Sequence, residues 1–255
     1  MTNINHMEKS MEQYKVSNID YDYAVAWSLR QGEFSFNLSK NLVNYFNKNG
    51  KKINNCLDIC CGTGEFLNTM KKVGAKCTGT EVAQSMIDYN KQKYEDMTFV
   101  HTNTLADFKF KEKFDLISCN HDMVNSLETF AEWEKLFKTV KSHLAKDGVF
   151  VFDYYTKNKL ENWDETIYEQ SNDIDYVKQV KPKLGKSVIQ ETYYIKKTPE
   201  YYHKSTDILV ESYYENEQVL ESLKKIGFKD IKVLNYSLEP ITSLPRANRI
   251  HIIAK

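Results

Sequence analysis

The chain has 255 residues, enough to bury a full core as one domain with an insertion. Its 35 Lys and Arg balance 35 Asp and Glu, and the basic clusters are only pairs such as Lys51-Lys52 and Lys196-Lys197. Extended nucleic acid is therefore a poor partner, because neutralising a phosphate backbone takes a basic face or tail. In chain order, residues 1–45 read as amphipathic helix carrying Tyr14, Tyr21, Tyr23 and Trp27, packed across the mouth of a sheet. Residues 55–61 read as a first strand, and 65–73 as a helix with Phe66, Leu67, Met70 and Val73 at helical spacing, stopped by Gly74. A strand over 76–82, a helix over 84–94 and a strand over 98–103 follow. A strand over 114–119, an amphipathic helix over 129–144 and a strand over 148–153 complete the alternation. The run Val149-Phe150-Val151-Phe152 suits a strand buried on both faces, as in a parallel sheet covered by helices.

After residue 160 the pattern changes. Residues 165–213 are rich in Tyr, Val, Ile and Thr with period-two alternation, broken by turn signals near residues 182–185 and 198–200. An antiparallel insertion of three or four strands is expected there. It is followed by a helix over 215–226 closed by Gly227, then strands over 229–236 and 249–254. The expected division is a helical cap (1–45), a core (46–160), the β insertion as a substrate lid (161–213) and the rest of the core (214–255). An aromatic roof over a substrate and a plain surface sheet have the same composition, so both readings of the insertion stand.

The most informative stretch is Asp58-Ile59-Cys60-Cys61-Gly62-Thr63-Gly64-Glu65-Phe66, an apolar strand entering a tight turn that opens a helix. Glycines two apart let the backbone pass close to a ligand, since neither has a Cβ. The third glycine of a nicotinamide fingerprint would fall at position 67, where Leu67 stands instead, so a nicotinamide dinucleotide is disfavoured. Asp58 and Glu65 would repel phosphates but suit an ammonium or a sulfonium.

With Glu81 at the end of the second strand and the helix–strand–strand finish, this order of elements resembles the class I S-adenosylmethionine-dependent methyltransferases of small-molecule type, over about residues 50–160 and 215–255. Cys60 takes the place of that family's first glycine and Cys61 that of its variable residue. The resemblance implies an α/β fold with a Rossmann-like seven-stranded sheet flanked by helices. It also implies S-adenosyl-L-methionine as cofactor and methyl transfer to a small-molecule acceptor. Glu81 would take both ribose hydroxyls. Asn103 or Thr104 would meet the adenine amine, in the position where many relatives carry an Asp. Asn120 would take the methionine amino group. Asp58, Cys60, Cys61, Gly62, Gly64, Phe66, Val82, Met86 and Leu105 complete the expected cofactor set, with Tyr23 and Trp27 from the N-terminal segment. If the acceptor must lose a proton, His121, Asp122 and Tyr154 are the expected catalytic groups, with Tyr202 a further candidate base. The rim 120–127 lacks the N/D-P-P-Y signature of nucleic-acid amino-methylating enzymes and looks like the D-S-x-N-Y-L of small-molecule relatives, with Asp122 and Asn125 at its polar positions.

The rivals are an RNA or protein methyltransferase and a module that binds the cofactor without catalysis. Cys60 and Cys61 are adjacent, and Cys56, Cys77 and Cys119 lie in separate strands, which is no metal-ligand spacing. Structural thiols suit a reducing compartment. No apolar run approaches the ~18–20 residues of a bilayer span, and the polar first 15 residues lack the core of a secretory signal. The expectation is a cytoplasmic monomer or homodimer with no metal and no membrane partner.

Overall fold

The computed structural model describes residues 21–255, without the side chains of residues 21 and 31–33. The expectations placed on residues 1–20, Tyr14 among them, and on the Tyr21 side chain lie outside the described residues. A long helix α1 (Tyr21–Lys48) precedes the alternating core. That core runs β1 (Asn55–Ile59), α2 (Glu65–Lys72), β2 (Lys76–Glu81), α3 (Gln84–Lys93), β3 (Thr98–His101), β4 (Phe114–Cys119), α4 (Phe130–His143) and β5 (Leu144–Tyr155). After α5 (Lys157–Asn162) come β6 (Glu165–Gln170), β7 (Ile174–Lys183), β8 (Lys186–Thr198) and β9 (Tyr201–Ser212), then α6 (Asn216–Ile226), β10 (Ile231–Leu234) and β11 (Arg249–Ala254). Among the described residues no helix is long and apolar enough to cross a membrane.

The main sheet has seven strands in the order β10-β11-β5-β4-β1-β2-β3. Strands β1 to β5 are parallel, and β11 pairs antiparallel with both β5 and β10. From β1 the chain steps outward to β2 and β3, then crosses back to lay β4 on the other side of β1. The carboxyl ends of β1 and β4 therefore flank a topological switch point, where open α/β sheets bind ligands. The burial of Leu57, Ile59, Leu116, Ile117, Phe150 and Phe152, all at 0% exposure, accounts for their continuous apolar runs.

Local chemistry sets the element ends. Thr129 and Glu132 form a reciprocal capping box at the start of α4, and Gly227, at φ 106°, closes α6 in the left-handed region. Helix α4 passes into β5 without a loop, because β5 begins at Leu144 rather than at 148 and its pairing with β4 shifts between Phe114 and Leu116. The β3 and β10 strands are shorter than expected, because only Thr98–His101 and Ile231–Leu234 find a partner strand. The boundary expected at residue 45 falls inside α1. The far half of that helix buries Leu38, Leu42 and Phe46 with Ile53, Cys56 and Ile253, so it is packed as core.

The insertion is a separate four-stranded antiparallel sheet, β6-β7-β8-β9. The near half of α1 rests on it. Tyr23 and Ala24 pack with Tyr176 and Tyr193, the Arg30 guanidinium lies 3.7 Å over the Tyr176 ring, and Arg30 forms a two-pronged ion pair with Glu169 at 2.9 Å. Helix α1 thus joins the insertion to the mouth of the main sheet.

Candidate active site

A cavity of about 130 Å³ opens at the switch point. Its floor is Asp58, Cys60, Cys61 and Gly62 from the turn after β1, Glu81 and Val82 from the end of β2, and Asn120 and His121 from the end of β4. Phe66 of α2, Met86 of α3, and Tyr23 and Trp27 of α1 close it. Every one of these was expected from the sequence.

The turn is held by Glu81. Its carboxylate accepts from the Gly62 amide at 2.9 Å, the Val82 amide at 2.7 Å and the Ala83 amide at 3.0 Å, and is 4% exposed. Gly62 has φ 53°, and a Cβ there would stand 3.2 Å from the Trp27 indole, so only glycine lets the ring lie on the turn. Gly64 serves a different purpose. It does not line the cavity; a Cβ on it would meet the Tyr94 ring at 2.8 Å.

Beside the turn, Asp58 is buried and accepts from the Ser118 hydroxyl at 2.7 Å and the Asn120 amide at 3.4 Å. Burial is the main cause that pushes its carboxyl up to about 7; the Ser118 bond opposes the shift and the nearby Glu81 charge adds to it. Asn120 lines the cavity, and its Oδ1 is buried with no hydrogen-bond partner among the described residues. A buried acceptor left this way is available to a donor such as a ligand ammonium or a water. Burial, reinforced by the Arg249 charge, lowers the His121 pKa to about 3, so its imidazole is neutral at physiological pH. It contacts the Ser35 hydroxyl at 2.7 Å and the Phe34 ring at 4.3 Å.

A second cavity, of about 430 Å³, adjoins the first. Trp27, His121, Met123, Glu191 and Leu209 line both and form the shared wall between them. Its far wall holds Asp122, Tyr155, Lys178, Glu211 and Arg249. Arg249 pairs with Asp153 at 2.5 Å and Asp122 at 2.7 Å, and Asp153 also accepts the Asp122 amide at 3.0 Å. Asn125 fixes the same rim from below: it donates to the Tyr155 and Ser212 carbonyls and accepts the Tyr155 amide. Cys60, after β1, and His121 and Asp122, after β4, have positive φ without being glycine, a costly conformation for such residues.

Not every expected residue is here. Tyr154 is buried on the opposite face of β5, its hydroxyl donating to Asn216, with Trp133 against its ring. Strand alternation explains this: Asp153 and Tyr155 point to the cavity side and Tyr154 cannot. Asn103 and Thr104 are exposed, and Leu105 belongs to the core under α4; none of the three lines the cavity. Tyr202 is exposed at the outer end of β9.

Sequence reasoning missed Ser35, Met123, Glu191, Asp207, Leu209, Lys178, Glu211 and Arg249. A signal existed for some of them: Asp207, Leu209 and Glu211 alternate along β9, and two carboxylates on the inward face of a strand are costly unless used. Glu191 is buried and accepts from the Tyr23 and Tyr176 hydroxyls at 3.0 and 2.5 Å. Arg249 carried no local signal.

A family model described as a methyltransferase domain matches residues 30–233. The chain belongs to that family. The sheet order and the glycine turn place it in the class I, S-adenosylmethionine-dependent branch. The Bacillus subtilis (strain 168) protein YqeM is 26% identical over 179 residues, 68% of this chain and 72% of that protein. A dTDP-3-amino-3,4,6-trideoxy-alpha-D-glucopyranose N,N-dimethyltransferase of Streptomyces venezuelae is 26% identical over 109 residues, 42% of this chain and 46% of that one. The solved structure of an S-adenosylmethionine-dependent methyltransferase from Clostridium acetobutylicum ATCC 824 superposes with a TM-score of 0.78 at 20% identity, over 91% of this chain and 96% of that one. S-adenosyl-L-methionine is the methyl donor of this methyltransferase class. The cavity suits it: a glycine at the turn, carboxylates and no Lys or Arg among the described residues lining it, and an Asn120 oxygen unpartnered among them.

Proposed function

We propose that this methyltransferase transfers a methyl group to the amino group of a small molecule bound in the second cavity, an amino sugar being the class favoured. The observation that carries the reading is that two cavities adjoin, one built around Glu81 and Asn120 and the other lined by Asp122, Glu191 and Glu211 together with Arg30, Lys178 and Arg249, with apolar Trp163 and Ile189 beside them. The amino-sugar class is supported by the name of the Streptomyces venezuelae relative.

In this reading Glu81 accepts both ribose hydroxyls, and charge-assisted bonds make it the strongest anchor. Asn120 and the ionised Asp58 take the methionine ammonium. Val82 and Met86 flank the adenine. Bound there, S-adenosylmethionine supplies an electrophilic methyl on a sulfonium. The protein's share is orientation and exclusion of water, worth an effective molarity of roughly 10⁵ M or more for a well-aligned pair. Trp27 and Met123 stand where the cavities join, and the α1–insertion contacts keep solvent out. His121, neutral and held by Ser35 and Phe34, positions the junction.

The test is transfer of isotope-labelled methyl from S-adenosylmethionine to panels of small amines that include dTDP-linked amino sugars. Label in an amine product supports the reading. Label only in RNA or protein replaces it. Tight cofactor binding with no labelled product in any panel indicates a binding module.

A further inference from the structure

We propose that Asp207 makes the cofactor cavity charge-selective, favouring the sulfonium donor over the neutral sulfide that methyl transfer leaves behind. This rests on the reading of the first cavity as the cofactor's. Asp207 belongs to β9 of the insertion, which carries Asp207, Leu209 and Glu211 at alternate positions. Residues two apart on a strand share a face. Along that face Asp207 lines the first cavity, Leu209 lines both and Glu211 lines the second. The insertion thus adds a carboxylate of its own to the cofactor side of the site, beyond Asp58 and Glu81 of the main sheet.

Asp207 is 4% exposed, and its one hydrogen-bond partner among the described residues is the Ile208 amide, which donates to Oδ1 at 3.0 Å. Directly opposite it on β8 stands Glu191, a second carboxylate at 5% exposure. Like charges opposite each other on paired strands repel. Glu191 is compensated: it accepts from the Tyr23 and Tyr176 hydroxyls and has Lys178 at 3.7 Å. Asp207 forms no ion pair among the described residues. Burial is the main cause that raises its carboxyl to about 6; the Ile208 amide opposes the shift and the Glu191 charge adds to it, so Asp207 is ionised at pH 7.5. A buried carboxylate without a cation is costly, and a positive ligand relieves that cost.

Nothing else in the cavity lining supplies that cation. Asp58, Glu81, Glu191 and Asp207 line the first cavity, and no Lys or Arg among the described residues does. His121 is neutral. The cations of the adjoining cavity are engaged: Arg249 with Asp153 and Asp122, Arg30 with Glu169, and Lys178 beside Glu191. The donor and its demethylated product share the ribose, the adenine and the methionine ammonium and carboxylate. They differ by the methyl group and by the positive charge on sulfur. Charge attraction in a buried site weakens only gradually with separation, so Asp207 can discriminate without touching the sulfur. A hydrogen bond from the ribose to Asp207 would strengthen both ligands equally.

The experiment is calorimetry on the full chain at pH 7.5 without acceptor. S-adenosylmethionine and S-adenosylhomocysteine are titrated separately into the wild type and into Asp207→Asn, which keeps the side chain's size and an oxygen for the Ile208 amide. The wild type should bind S-adenosylmethionine about tenfold tighter than S-adenosylhomocysteine. The variant should lose most of that preference, to about twofold or less, and keep its S-adenosylhomocysteine affinity within about threefold of wild type. A wild-type preference under about threefold, a preference that the variant lowers by less than about threefold, or an equal loss of both ligands overturns the inference alone. Equal loss would put Asp207 on a part common to both molecules. Failure of the wild type to bind either ligand overturns the proposed function and this inference with it. If the Asn variant misfolds, Asp207→Ser, smaller and still able to accept from the amide, is read by the same ratios.

Discussion

Glu81 is the residue on which the proposed cofactor site turns, and its replacement tests the assignment most directly. Its carboxylate already accepts three backbone amides, from Gly62, Val82 and Ala83, so Glu81→Ala removes both the expected ribose anchor and the tie between the β1 and β2 turns. Leaving buried donors unsatisfied costs about 1–3 kcal/mol. For a domain of this size, that lowers the melting temperature by roughly 2–4 °C per kcal/mol. Loss of charged hydrogen bonds to the ribose would remove a further ~1.5–3 kcal/mol of binding, a weakening of roughly 10- to 100-fold. Glu81→Gln separates the two effects. One amide oxygen can still accept from Val82 and Ala83, but the amide nitrogen then faces the Gly62 N–H, donor against donor. The assay is S-adenosylhomocysteine calorimetry with a melting curve for each variant. The expected order of affinity is wild type, then Gln, then Ala. An Ala variant that melts early yet binds within twofold of wild type would show that Glu81 holds the turn and does not touch the ligand, refuting the reasoning.

Asp58→Asn should flatten the pH dependence of S-adenosylhomocysteine binding: in the wild type, affinity should rise as pH passes about 7, because a bound ammonium favours the ionised carboxylate. Without ligand the sign is opposite for folding. The folded state holds a proton that the unfolded chain has released, so Asp58's contribution to stability falls as pH rises from 3.8 to about 7, and the Asn variant should lack that fall in pH-dependent melting. Asn125→Ala should destabilise by about 2–4 kcal/mol, since it orphans the Tyr155 amide and two carbonyls beneath the rim; a melting temperature within a degree of wild type would contradict this. Gly64→Ala should cost about 1–2 kcal/mol from its positive φ alone, plus the displacement of the Tyr94 ring, and Tyr94→Ala should recover the second part only, read by denaturant melts. Because Trp27 lies on Gly62 above a small cavity, S-adenosylhomocysteine should change the tryptophan emission, and Trp27→Phe should abolish that change while Trp133 and Trp163 remain.

The sequence by itself determined the alternating core and the turn at the switch point. Strand alternation with helices, the Gly62–Gly64 turn and Glu81 are all local in the chain, and in a parallel α/β sheet the ends of successive strands must gather at one edge. Reading β1, β2 and β4 in order therefore placed Asp58, Gly62, Glu81 and Asn120 together before any coordinates. The insertion was legible as antiparallel sheet because its alternation has period two, but its composition left its role open. Tertiary structure decided the rest. Which face of β5 meets the cavity depends on register, and that sent Tyr154 into the core and Tyr155 to the wall. The end of β3 was read through a family pattern the chain lacks, and the fold leaves Asn103 and Thr104 facing solvent. The second cavity is lined by Asp122, Glu211 and Arg249, residues far apart in the chain. A charge has no period of its own, and its partner is fixed only when strands from distant segments are laid side by side.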